Sequence, residues 1–65
     1  MRELRQEFRH RDGNKETLIA TLYVNAEGEH HEWWAIVFED KNRAPHVGKS
    51  RYIHNLWKEI VYKKR

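Results

Sequence analysis

Residues His31–Glu39 read His-Glu-Trp-Trp-Ala-Ile-Val-Phe-Glu, and this segment determines how the rest of the chain is interpreted. Its centre is aromatic and β-branched, which is typical of a β-strand. Successive side chains of a strand point to opposite faces of the sheet. The expected faces are Trp34, Ile36 and Phe38 on one side, and Trp33, Ala35 and Val37 on the other. Because both faces are apolar, one needs a hydrophobic core and the second needs a separate cover or a binding partner.

Two earlier segments also alternate in the manner of strands. Between residues 3 and 11, Leu4 and Phe8 share one face, and charged side chains occupy the other. Residues 17–24 alternate similarly, and turn-forming residues at 12–14 and 25–29 separate the three segments. The pattern predicts strands over about 3–11, 17–24 and 31–39, arranged as an antiparallel meander.

The last part of the chain has helical spacing. Residues 40–49 are expected to form a loop, and the Ser50 hydroxyl is expected to cap the helix that follows. From about 51 to 64, Ile53, Leu56, Trp57 and Ile60 fall on one half of a helix. The fold class predicted is therefore α+β, a three-stranded antiparallel meander with one C-terminal amphipathic helix packed on one face. Residues 1–65 form a single small domain in this interpretation.

The expected core lies between that helix and one face of the sheet. The sheet residues assigned to it are Leu4, Phe8, Leu18, Ala20, Leu22, Trp34, Ile36 and Phe38. The opposite face is expected to carry Arg5, Glu7, Arg9, Ile19, Thr21, Tyr23, Trp33, Ala35 and Val37. A domain this small buries only roughly 60% of its unfolded surface, so a second apolar contact would stabilise it appreciably.

Composition excludes several classes of protein. Thirteen Lys and Arg against ten Asp and Glu give a formal charge of +3, and there is no cysteine to form a disulfide or thiolate metal site. The longest apolar run, 33–38, is far shorter than the ~20 residues that span a bilayer. The charged N-terminus has no signal-peptide core. These features lead us to expect a small basic cytoplasmic protein.

The sequence lacks the complete pattern of a P-loop, of a histidine metal site and of a catalytic nucleophile. Gly48-Lys49-Ser50 resembles the end of a phosphate-binding P-loop, but the required glycine at position 43 is Arg43. The neighbours His30 and His31 point to opposite faces of a strand and chelate a metal poorly. No nucleophile lies in a triad or elbow pattern. We therefore expect no enzymatic activity, no metal and no cofactor.

The second apolar face is the main indication of function. Aromatic rings on it can stack on bases while arginines hold phosphates, which predicts a nucleic-acid-binding domain, with DNA as the expected target. The candidate binding residues are Arg5, Arg9, Arg11, Tyr23, Trp33, Val37, Lys49 and Arg51. The β-β-β-α order resembles that of a class of plant DNA-binding domains and of the N-terminal arm-binding domains of tyrosine recombinases. That resemblance implies a sheet lying in a DNA groove.

A protein partner is the alternative. Glu3 and Glu7 share the outer face of the arginine-rich strand and would repel phosphates. Tryptophan, tyrosine and arginine are also the usual anchors of protein interfaces. The same face would then serve a compact inhibitor or adaptor, or a homodimer formed sheet on sheet.

Overall fold

A computed structural model describes residues 2–62 of the chain. Its elements are four strands and one helix: β1 (Arg2–Asp12), β2 (Lys15–Glu27), β3 (His30–Phe38), β4 (His46–Val47) and α1 (Ser50–Tyr62). The strands form one antiparallel sheet in the order β1-β2-β3-β4. The predicted α+β class, with a sheet followed by a C-terminal helix, is confirmed. The predicted extension of the helix to residue 64 lies partly outside the described residues.

The two hairpins are tighter than expected. Asp12 pairs with Lys15 and Glu27 pairs with His30, so each turn contains two residues. Gly13 and Gly28 have φ angles of 63° and 61°, a conformation that suits glycine because it lacks a Cβ. Two-residue turns let the ladders continue almost to the turn, which is why β2 is longer than the predicted 17–24.

The prediction of three strands is wrong, because part of the expected loop forms β4. The chain reverses at Asp40, whose side chain accepts the Asn42 N–H (3.0 Å) and whose carbonyl accepts the Arg43 N–H (3.1 Å). After this turn, His46 and Val47 pair with the outer edge of β3. A strand of two residues is too short to produce an alternating pattern in the sequence.

A β-bulge in β3 changes the faces of the two tryptophans. Tyr23 pairs with Ala35, but Val24 pairs with Trp33, so Trp34 is an extra residue. An extra residue shifts the alternation by one, and Trp33 therefore lies on the helix side, where its ring is 4.0 Å from that of His54. The prediction that placed Trp34 in the core and Trp33 on the opposite face is wrong.

A second irregularity affects β2. Phe8 pairs with Ala20 and Arg9 pairs with Leu18, which leaves Ile19 as the extra residue. Ile19 packs against the core, whereas Leu18 lies opposite Arg9 on the other face of the sheet. The predicted faces of Leu18 and Ile19 are therefore also exchanged, for the same geometric reason.

The core lies between α1 and one face of the sheet. Its buried members are Ala20, Leu22, Val24, Ile36, Phe38, Ile53 and Trp57. Residues packed around them are Leu4, Phe8, Ile19, Trp33, Leu56, Ile60 and Val61. Burying each large apolar side chain contributes about 1.5–3 kcal/mol before the entropy of ordering is subtracted. This single apolar layer fixes α1 on one side and leaves the other face of the sheet uncovered by the helix.

The start of α1 is attached to the sheet. The Ile53 N–H donates to the Lys49 carbonyl (3.0 Å) in the first turn of the helix. The Ser50 hydroxyl, expected to cap the helix, instead accepts the backbone N–H of Trp33 (3.2 Å). Ser50 thus connects the helix start to the residue that precedes the extra Trp34.

Candidate functional site: the open face of the sheet

We call the sheet surface opposite α1 the open face. Strand alternation and the pairing register place charged residues on β1 and mostly apolar residues on β2, β3 and β4. Its members are Glu3, Arg5, Glu7, Arg9, Arg11, Leu18, Thr21, Tyr23, Trp34, Ala35, Val37 and Val47, of which Ala35 is buried. Val37 is 40% exposed and Val47 is 67% exposed, so this face offers apolar contact area to solvent.

A row of three flat groups crosses the centre of the open face. The guanidinium carbon of Arg5 lies 5.2 Å from the centroid of the Tyr23 ring, a distance typical of a cation–π contact. The Tyr23 and Trp34 rings follow at 5.8 Å with an interplanar angle of 47°. Arg5, Tyr23 and Trp34 come from β1, β2 and β3, so the sheet itself positions the row.

Trp34 is held in the row by its backbone and by packing. Its carbonyl accepts the N–H of Gly48 at 3.2 Å, beside β4. The indole Nε1 is buried and has no hydrogen-bond partner among residues 2–62. Ring contacts and the bulge, and not a side-chain hydrogen bond, therefore set the position of the Trp34 ring.

The charged part of the open face contains both signs. Arg9 forms an ion pair with Glu7 at 2.8 Å, and Arg11 donates from Nε to the carbonyl of Gly13 at 3.3 Å. Both partners of the ion pair are more than two-fifths exposed, with side-chain accessibilities of 42% and 47%. Such a pair contributes roughly 0–1 kcal/mol and opens easily, so Arg9 remains able to bind an anion.

The structure brings together most of the sequence-predicted binding residues. Those on the open face are Arg5, Arg9, Arg11, Tyr23 and Val37. Lys49 and Arg51 are exposed at the start of α1, next to the β4 edge of the sheet. Trp33 is the exception, because it lies against α1. Sequence reasoning missed Trp34, Leu18 and Val47, because it assigned Trp34 and Leu18 to the core and Val47 to a loop.

Residues 2–62 contain neither a cluster that could bind a metal nor a helix that could span a membrane. Among residues 2–62 there is no group of three or more His, Asp or Glu side chains arranged to hold a metal ion. In the same part of the chain, α1 is too short and too polar to cross a membrane. No family model, curated protein or solved structure matches the chain. The functional inference therefore depends on the geometry of the open face.

Proposed function

We propose that the protein is a small non-catalytic domain that binds DNA through the open face of its sheet. The observation that supports this best is the row formed by Arg5, Tyr23 and Trp34 across three neighbouring strands. Aromatic rings stack on bases of any sequence, and a guanidinium can contact a phosphate or a base face. Because stacking requires a base to leave its own stack, the row favours single-stranded DNA over a duplex.

The arginines of β1 supply the electrostatic part of the proposed interface. Arg5, Arg9 and Arg11 occupy odd positions of β1 and therefore lie on one face of the sheet. They form a line that a phosphate backbone can follow. Lys49 and Arg51 lie beyond the other edge of the sheet and add positive charge there. In this arrangement the aromatic row contacts bases between two basic margins.

Salt dependence provides the first test. If three arginines each neutralise a phosphate, raising the salt from about 50 mM to about 200 mM should weaken binding roughly 20- to 40-fold. Fluorescence anisotropy with a labelled single-stranded oligonucleotide measures this directly, and a duplex of the same sequence gives the comparison. An affinity that is unchanged by salt would refute a phosphate-directed interface.

Substitutions test the row itself. Trp34→Ala should weaken single-strand binding by about 5- to 150-fold, since base–aromatic stacking is worth roughly 1–3 kcal/mol. Tyr62→Ala is the matched control, because Tyr62 is a 75% exposed aromatic on α1, on the side of the sheet opposite the open face. Equal loss in the two variants, or none in Trp34→Ala, would exclude the row as the binding site.

Glu7 separates this proposal from a protein interface. Its carboxylate lies among the arginines of β1, so Glu7→Gln should strengthen DNA binding by removing a charge that repels phosphate. The exposed Val37 and Val47 favour the second candidate, a protein interface such as a sheet-on-sheet homodimer. In that case Val37→Lys should disrupt association, and raising the salt should have little effect.

A further inference from the structure

A second possible contact surface is the free edge of β1. β1 runs from Arg2 to Asp12 and is the first strand of the sheet, so β2 is the one strand that pairs with it within residues 2–62. The backbone N–H and C=O groups on its other side form a template for another strand. The opposite edge is β4, which has only two residues and offers little to pair with. The long edge is therefore where a strand can be added.

The charges along β1 are complementary to themselves. From residue 3 to residue 9, the open-face side chains of β1 are Glu3, Arg5, Glu7 and Arg9, with signs that alternate negative, positive, negative, positive, and Arg11 follows on the same face beyond this run. Read in reverse order, these four signs become positive, negative, positive, negative, so each position then carries the opposite charge. Antiparallel pairing reads the second strand backwards, so two copies of the 3–9 run can match each of its four charges with an opposite charge.

Two-fold symmetry limits the registers that are allowed. Residues directly opposite each other in an antiparallel pair lie on the same face, so a closed dimer aligns odd with odd and even with even positions. A dimer centred on Arg5 places two arginines together and Glu3 opposite Glu7. One centred on Glu7 places two glutamates together and Arg5 opposite Arg9. Centring on Gln6 avoids these like-charge pairs.

We propose that two copies of this protein associate through antiparallel pairing of their β1 strands, centred on Gln6. Glu3 then lies opposite Arg9 of the second copy, and Arg5 lies opposite Glu7. On the helix side, the half-buried Leu4 lies opposite Phe8, which extends the apolar layer across the junction. Arg2 and His10 meet at the two ends of the ladder. The product is a continuous eight-stranded sheet, twice the four strands of one chain, with both helices on one side and both open faces on the other.

Dimerisation through β1 does not depend on whether the open face binds nucleic acid, and it is measured without any ligand. Sedimentation equilibrium of the intact chain from micromolar to millimolar concentration should show a reversible monomer–dimer equilibrium. A strictly monomeric chain over this range would overturn the proposal. A dimer disrupted by Val37→Lys but unaffected by charge changes in β1 would also overturn it, because it would identify a sheet-on-sheet contact.

A charge-swap cycle tests the register. Arg5→Glu and Glu7→Arg each convert two attractive cross-strand pairs into repulsive ones and should each raise the dimer dissociation constant about tenfold or more. The double variant restores opposite charges between copies and should recover most of the affinity. Arg51→Glu and Glu29→Arg make the same charge changes away from β1 and should have little effect. A double variant as weak as the single ones would overturn the register.

A cysteine cross-link provides a second test that does not rely on charge. The chain has no cysteine, so a single introduced thiol reports one position only. In the proposed dimer, position 6 faces its own copy with Cβ atoms about 5 Å apart, and Gln6→Cys should form a disulfide-linked dimer under mild oxidation. His10→Cys is the control, since that position lies roughly 25 Å from its copy along the ladder. Cross-linking at position 10 in preference to position 6 would overturn the register.

Discussion

The hydroxyl of Ser50 is expected to stabilise the bulge that separates the two tryptophans. It accepts the N–H of Trp33 at 3.2 Å, joining residues 17 apart in the chain. Ser50→Ala removes the acceptor and leaves a half-buried amide without a partner. A hydrogen bond of this kind contributes about 0.5–1.5 kcal/mol, and an unsatisfied buried amide costs about 1–3 kcal/mol. Because the site is only partly buried, we expect a loss of about 1 kcal/mol in the free energy of unfolding.

A loss of this size is large for so small a domain. At about 0.05–0.15 kcal/mol per residue, the whole chain is stable by roughly 3–10 kcal/mol. With a urea m-value of about 1 kcal/mol per molar, the midpoint of unfolding should fall by about 1 M. The melting temperature should fall by about 4–8 °C. Urea titration followed by circular dichroism measures the first quantity, and calorimetry measures the second.

Amide hydrogen exchange adds a local measurement. In Ser50→Ala the Trp33 amide should exchange faster by more than the global loss of stability accounts for, because its own acceptor has been removed. Ser50→Thr keeps the hydroxyl and is the matched control. An unchanged urea midpoint together with unchanged protection of the Trp33 amide would refute the role assigned to Ser50.

Three further predictions concern stability, all measured by urea or thermal unfolding. Ile53 is fully buried between α1 and the sheet, so Ile53→Ala should lower the free energy of unfolding by about 2–5 kcal/mol. Val37→Ala on the open face should lower it by less than about 1 kcal/mol. Equal losses would mean that the core is misplaced. Gly28 has a φ of 61° and open space where a Cβ would lie. Gly28→Ala should therefore lower the free energy of unfolding by about 1 kcal/mol, and Gly28→Asn should lower it by less. The reverse order would contradict a turn in the left-handed region. At Gly48 an added Cβ would lie 2.9 Å from the Tyr52 ring, but that side chain is 51% exposed and can rotate away. Gly48→Ala should therefore change the free energy of unfolding by less than about 1 kcal/mol. A larger loss would show that the Tyr52 ring is fixed.

Much of the fold follows from local patterns. The alternation around Leu4 and Phe8 and the apolar spacing of Ile53 and Trp57 were enough to predict the strand β1, the helix α1 and the layer between them. Turn residues such as Gly13 and Gly28 placed the two hairpins. These features are predictable because each depends on a conformational preference or a repeat within a few residues.

The candidate site was predicted less completely. Arg5, Arg9 and Tyr23 were assigned to the correct face. β1 contains no extra residue, and the part of β2 from Ala20 to Tyr23 alternates without interruption. Trp33 and Trp34 were exchanged, since Trp34 is itself the extra residue of the bulge and the alternation changes face at that point. β4 was missed because two residues carry no periodic signal.

The sequence alone therefore determined the order of the main elements, the amphipathic helix and a sheet whose two faces both carry apolar residues. The tertiary structure decided which tryptophan lies in the core and which crosses the open face. The physical reason is that a bulge depends on how a strand pairs with its neighbour, and pairing is not encoded in the alternation of one strand. The aromatic row of Arg5, Tyr23 and Trp34 exists only because three strands meet in that register.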